Sequence, residues 1–198
     1  MSTWVGALIE TQGRRDFWDL AREQGVVPLA TDVPARVLID FEPRSGPEAA
    51  VRAAQTLSSA LSSRCLAFAA QTNADVYELH AFERGTRIRR LVYSRDEGGW
   101  LHAEGEVQPW ERAFFFDEAS TSRDSDTWPD MLWDEISAAE VARYEEARRA
   151  GDASAVLDLL HPSSTRPLWR LCSFLGVPPE APRGRWRKPG LWARFLRR

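Results

Sequence analysis

The sequence is poor in the residues from which sites are most often built: two cysteines, two methionines, three histidines and one lysine, Lys188, in 198 residues. Cys65 and Cys172 each stand alone in an apolar stretch. That excludes a disulfide framework and suits buried thiols in a reducing cytosol, so the cytoplasm is the expected compartment. No Cys-x-x-Cys and no His-x-x-x-His pair occurs, so neither a metal site nor a cofactor is expected. The phosphate-cradling patterns Gly-x-x-x-x-Gly-Lys-Ser/Thr and Gly-x-Gly-x-x-Gly are missing, as is Gly-x-Ser-x-Gly of the serine hydrolases. No apolar run approaches the ~20 residues of a membrane span, and Met1 to Gly13 lacks the charged start and apolar core of a signal peptide. There is no internal repeat.

What remains is ordinary globular composition, 43% hydrophobic, 11% aromatic and 28% charged, which argues for one domain or two small ones. The net charge of −3 conceals a division. Seven of the 26 basic residues fall between Arg183 and Arg198, where no acid occurs, leaving 19 against all 29 acids in the first 182 residues. The acids concentrate between Asp96 and Asp158, with 17 carboxylates against five arginines. A nucleic-acid binder needs a broad basic face, and an acidic body with a short basic tail does not supply one. Attraction between tail and body is the expected consequence.

Periodicity then orders the chain. Trp4 to Glu10 reads as a buried strand, Arg14 to Gln24 as a helix closed by Gly25, and Ala35 to Glu42 as a second strand between prolines. Ser45-x-x-Glu48 has the spacing of a capping box ahead of a helix with Ala50, Ala54, Leu57 and Leu61 on one side. The period next falls to two. Strands are expected over Cys65 to Gln71, Val76 to Phe82, Arg87 to Ser94 and Trp100 to Glu104, joined by short turns into a meander. Phe114-Phe-Phe116 is read as an edge strand or as a plug in the core, and Ala119 to Asp130 as a loop. Ser137-x-x-Glu140 opens a helix that Gly151 ends, Asp152 caps another over Ala153 to Leu160, and Thr165 and Pro167 start a third ending at Leu175-Gly176.

The class expected is therefore α+β: strand–helix–strand–helix, then an antiparallel meander, then a C-terminal helical subdomain. The boundaries follow as a sheet domain over 1–118, helices over 119–177 and a Pro/Arg-rich basic tail over 178–198.

Candidate chemistry is thin. Asp124-Ser-Asp126 lacks both the preceding apolar strand of a phosphoryl-transfer pair and the ligand spacing of a calcium loop, so it reads as a turn-rich segment. Cys65 has only Arg64 beside it and reads as core filler. Glu78 with His80, and His102 with Glu104, are two apart in their strands and so share a face in pairs. They form a candidate acid–base set, with Arg87, Arg89 and Arg90 available for an anionic substrate. The strand between them, about 9–10 Å across two spacings, opposes their meeting.

Nine tryptophans are the larger anomaly, seven of them at Trp100 or beyond. Several stand beside charges or prolines, and tryptophan and arginine are the types enriched at binding hot spots. Trp100, Trp110, Trp128, Trp133, Trp186 and Arg187 are accordingly the candidate binding residues. The function expected is a non-catalytic cytosolic protein of adaptor or immunity type, an analogy of class only. Its acidic, tryptophan-bearing surface would engage a partner protein, such as a basic toxin domain that it neutralises. Two readings compete with it: an enzyme using the Glu78/His80/His102/Glu104 face, and attachment to an anionic membrane or single-stranded nucleic acid through the tail, with Leu191, Trp192 and Phe195 as its apolar side.

Overall fold

A computed structural model describes residues 3–176 apart from 15, 27, 31–34, 43–44, 118–128 and 134. Seven strands make one sheet: β1 (Thr3–Glu10), β2 (Pro28–Ala30), β3 (Arg36–Phe41), β4 (Arg64–Gln71), β5 (Val76–Glu83), β6 (Thr86–Ser94) and β7 (Gly99–Gly105). Their spatial order is β2-β3-β1-β4-β5-β6-β7, and every neighbouring pair is antiparallel. The α+β class and the four-strand meander stand as expected from the sequence. The opening differs by one element, because β2 adds a three-residue edge strand beside β3. So short a strand carries too few residues to display a period.

β3 and β4 both run antiparallel to β1, so they are parallel to each other and need a crossover. Helix α2 (Gly46–Leu61) supplies it and packs on one face. It buries Ala50, Ala54, Leu57 and Leu61 against Val5, Ala7, Ile9, Val37, Ile39, Cys65 and Ala67. Ser45, however, lies in the helical region and makes no side-chain cap, so the Ser45–Glu48 capping box does not form. A capping serine must be extended for its oxygen to reach back to the helix. Helix α1 (Phe17–Glu23) adds Phe17 and Ala21 to this layer.

The opposite face carries α3 (Pro109–Phe115), α4 (Ala138–Ala150), a 3-10 helix (Ala153–Leu159) and α5 (Arg166–Phe174). Ser137 and Glu140 do form the second capping box, Gly151 ends α4 at φ 73°, and the Asp152 carboxylate accepts from the Ser154 amide. The segment after Asp152 is 3-10 and not α, with a break at Val156. Helix α3 is the element that the periodicity missed. Its opening can be read in Gln108-Pro109-Trp110-Glu111, with proline in the first turn and the Glu111 carboxylate accepting from the Gln108 amide at 2.6 Å. The three phenylalanines are its end, all buried, so they are a plug and not an edge strand. Arg170 of α5 donates to the carbonyls of Ala113 and Phe114 at 3.1 and 2.9 Å, satisfying acceptors that the end of α3 leaves open.

These helices share one core with the sheet, which joins Trp4, Leu8, Phe68, Tyr77 and Tyr93 to Trp110, Phe114, Tyr144, Val156 and Leu168. Gly6 lies under this layer. A Cβ there would sit 2.4 Å from the Phe68 ring, so only glycine lets Phe68 cross β1 and meet Trp4 edge to face at 4.6 Å.

Candidate binding surface

The register of the meander settles where the histidine–glutamate set stands. Across β5, β6 and β7, His80 pairs with Arg90 and Arg90 with Glu104, while Glu78 pairs with Val92 and Val92 with His102. The four residues share the α2 side of the sheet but form two separate pairs with β6 between them. His80 is 6% exposed and its Nε2 lies 3.3 Å from Glu78 Oε2. His102 Nδ1 lies 2.7 Å from Glu104 Oε1, which Arg90 approaches at 3.5 Å. These neighbours, the His102 bond first, hold the Glu104 carboxyl below the usual carboxylate range. Among the described residues, no group of three or more His, Cys, Asp or Glu is placed to hold a metal ion. The candidate acid–base set is thus two dyads, each within its own strand, and not one centre.

Arg89 also departs from its expected role in holding an anion. Regular alternation along β6 sets it with Leu91 and Tyr93 on the opposite face, paired with Ala81. There its Nε and Nη2 meet the Glu111 carboxylate at 2.9 and 2.7 Å in a buried bidentate pair. Its Nη1 donates to the carbonyls of Ala103 at 3.3 Å and Gly105 at 2.9 Å. The Glu106 amide bonds Ile88 O at 3.2 Å, so the alternation of the antiparallel ladder makes Arg90–Glu104 and Val92–His102 the bonded pairs. Ala103 and Gly105 then turn their carbonyls to the free side of β7. Arg89 occupies acceptors that a strand from another chain would need, a guard on an open edge.

The tryptophans divide in the same way. Trp100 donates from Nε1 to Leu160 O at 2.7 Å and lies against Tyr93 and Phe115, while Trp110 is 7% exposed. Trp110 belongs to the core, and Trp100, partly buried, packs against it. The gaps between short helices and the sheet need large, flat side chains with a polar handle, and that demand also accounts for Trp169, packed against the same core. Trp128, Trp186, Arg187, Leu191, Trp192 and Phe195 lie outside the described residues, as do Asp124, Asp126 and the basic tail. No helix among the described residues is long and apolar enough to cross a membrane.

Trp133 is different. It is 39% exposed and contacted by two side chains. The Arg95 guanidinium lies 4.7 Å from its ring centroid and is itself fixed by Asp75 at 3.0 Å. The His161 ring lies 5.3 Å from it on the other contact. The His161 amide donates to Met131 O at 2.7 Å, which ties the segment carrying Trp133 to the end of the 3-10 helix. The turn after β5's partner strand, the end of β6 and the segment before α5 thus converge on one indole. Sequence reasoning named Trp133, but its partners Arg95 and His161 are 38 and 28 residues away and no local pattern links them.

Two concavities complete the surface. A polar hollow of ≈ 610 Å³ lies between β3, α2 and the end of α1, beside Gln24, Glu42, Ser45, Arg52 and Thr56. Burial pushes the nearby Asp40 carboxyl up to about 6, with the polar edge of Trp4 opposing the shift. Strand alternation, with Ile39 facing α2, directs that carboxyl to the opposite face, so it does not serve the hollow. A smaller apolar cleft of ≈ 240 Å³ lies beside Leu8, Leu66, Ile88, Trp110, Phe174 and Leu175. Both thiols are buried, with burial pushing Cys65 and Cys172 up to about 12, as suits inert core cysteines. Comparison with protein families, curated proteins and solved structures finds no match to this chain.

Proposed function

We propose that this protein is a non-catalytic binding protein of adaptor or immunity type, whose acidic side engages a basic partner protein through an anchor at Trp133. The observation that carries the reading is the exposed indole fixed between Arg95 and His161. A large side chain already ordered before binding loses little further freedom when a partner covers it. The neighbouring residues favour a basic partner. Asp96 and Glu97, next to Arg95, and Glu135, two residues from Trp133, are exposed. The separation of the two histidine–glutamate dyads removes the geometric support for the enzyme reading.

The test is a pull-down from native cytosol at moderate salt with the full-length chain, followed by titration of the recovered partner in purified form. Trp133→Ala is expected to weaken binding by about 2 kcal/mol or more, roughly thirtyfold, with the fold intact. His102→Ala should leave affinity unchanged. Binding indifferent to Trp133 but lost with His102 would overturn the reading and return attention to the meander face.

A further inference from the structure

We propose that His161 is a proton-operated latch on the Trp133 patch: when neutral it holds the Met131–Trp133 segment against β6, and when protonated it lets that segment go. The consequence for partner binding rests on the reading above; the latch itself is a property of the free protein.

The tautomer follows from the partners. His161 Nε2 lies 3.2 Å from Asp158 O, and a carbonyl oxygen only accepts, so Nε2 carries the proton. Nδ1 is then a lone pair and receives the Tyr93 hydroxyl at 3.1 Å. One neutral ring therefore joins β6 to the 3-10 helix, while its own amide holds Met131.

Adding a proton at Nδ1 breaks this arrangement. The Tyr93 hydroxyl can no longer donate there and would have to turn and accept. Burial keeps that phenol from ionising, so it does not become a counter-ion. The imidazolium would also share the neighbourhood of Trp133 with the Arg95 guanidinium, a like charge that disfavours it. The charged groups around the ring do little to offset this. From the 3-10 helix comes the Asp158 carboxylate, engaged by Arg143 of α4. From the β4–β5 turn comes Asp75, engaged by Arg95. Asp130, beside Met131, is engaged by Arg170 of α5. Burial, with Arg95 adding to it, holds the ring's pKa below the ordinary histidine value. The folded state thus takes up fewer protons than the unfolded chain, and the stability of this corner falls as pH drops through ~6.5.

The experiment uses the full-length protein without partner, so a failure of the binding reading leaves it decisive. The Trp133 indole N–H resonance, assigned by its loss in Trp133→Phe, and amide protection over residues 129–136 are followed from pH 7.5 to 5.5. Protection corrected for intrinsic exchange is expected to fall about tenfold in this segment while β1 and β4 hold theirs. His161→Gln should remove the pH dependence. Tyr93→Phe, which deletes the donor that favours the neutral ring, should move the midpoint to higher pH. The latch is overturned if His161 titrates with the segment's protection unchanged, or if His161→Gln keeps the wild-type profile. Should His161→Gln not fold, an unshifted midpoint in Tyr93→Phe overturns it alone.

Discussion

Alanine, valine and isoleucine line the face of the sheet under α2, whereas tryptophan, tyrosine and phenylalanine line the face under α3, α4 and α5. A single regular helix lying flat on a sheet leaves a uniform gap that small and branched side chains fill. Four short helices leave an uneven one, and large aromatic rings fill it. The difference accounts for Trp4, Trp100, Trp110 and Trp169, which pack in or against that aromatic layer. The coverage differs as well: α2 packs on β1 and β4, while Arg90 and His102, on the α2 side of β6 and β7, are half-buried and Glu104 is exposed.

The largest break in this comparison should come on the aromatic side. Phe115, fully buried against Trp100 and Phe114, is expected to cost about 3–5 kcal/mol when replaced by alanine, read from denaturant midpoints at constant slope. Arg89→Met should cost about as much, since it strands the Glu111 carboxylate in the core. Arg89→Met with Glu111→Leu should recover most of that loss yet free the carbonyls of Ala103 and Gly105. Concentration-dependent association of the double variant, seen by light scattering, would mark Arg89 as the guard of the β7 edge; a double variant that stays as dispersed as wild type would show the pair to be structural alone.

On the small-residue side the sensitivity should reverse. Ala54→Leu is expected to cost about 1–3 kcal/mol by pushing α2 off the sheet. Enlarging one face and truncating the other would thus hurt by opposite mechanisms, and a neutral Ala54→Leu would refute the tight-gap account. The smallest effects belong to polar positions. Asp40, titrating near 6 when folded and near 4 when unfolded, holds more protons in the native state, so its contribution to stability declines as pH rises from about 4 to 6. Asp40→Asn should therefore flatten the stability profile in that window and raise the melting temperature slightly at pH 7. His102→Ala should remain within about 0.5 kcal/mol of wild type.

The legible parts of the fold were those with local periods. β1, β3 and the meander followed apolar runs and alternation, and α4 was marked at both ends, by Ser137 with Glu140 and by Gly151. The elements missed were too short to repeat: β2 has three residues, and α3 is a seven-residue helix whose run of phenylalanines mimics a strand. The site was less legible still. Sequence could name Trp133 as an aromatic beside charges, but Trp100 and Trp110 met the same description and pack into or against the core.

By itself, then, the sequence determined the class of the fold, the order of its longer elements, the inertness of its two thiols and the acidic character of the 96–158 region, because each depends on composition or on residues a few positions apart. Tertiary structure alone decided which of the candidate tryptophans among the described residues faces solvent, that Arg89 meets Glu111 in the core, and that His161 meets Tyr93 and Trp133. Each of these turns on which way a side chain points once distant strands have chosen their register, and a shift of one residue reverses the answer.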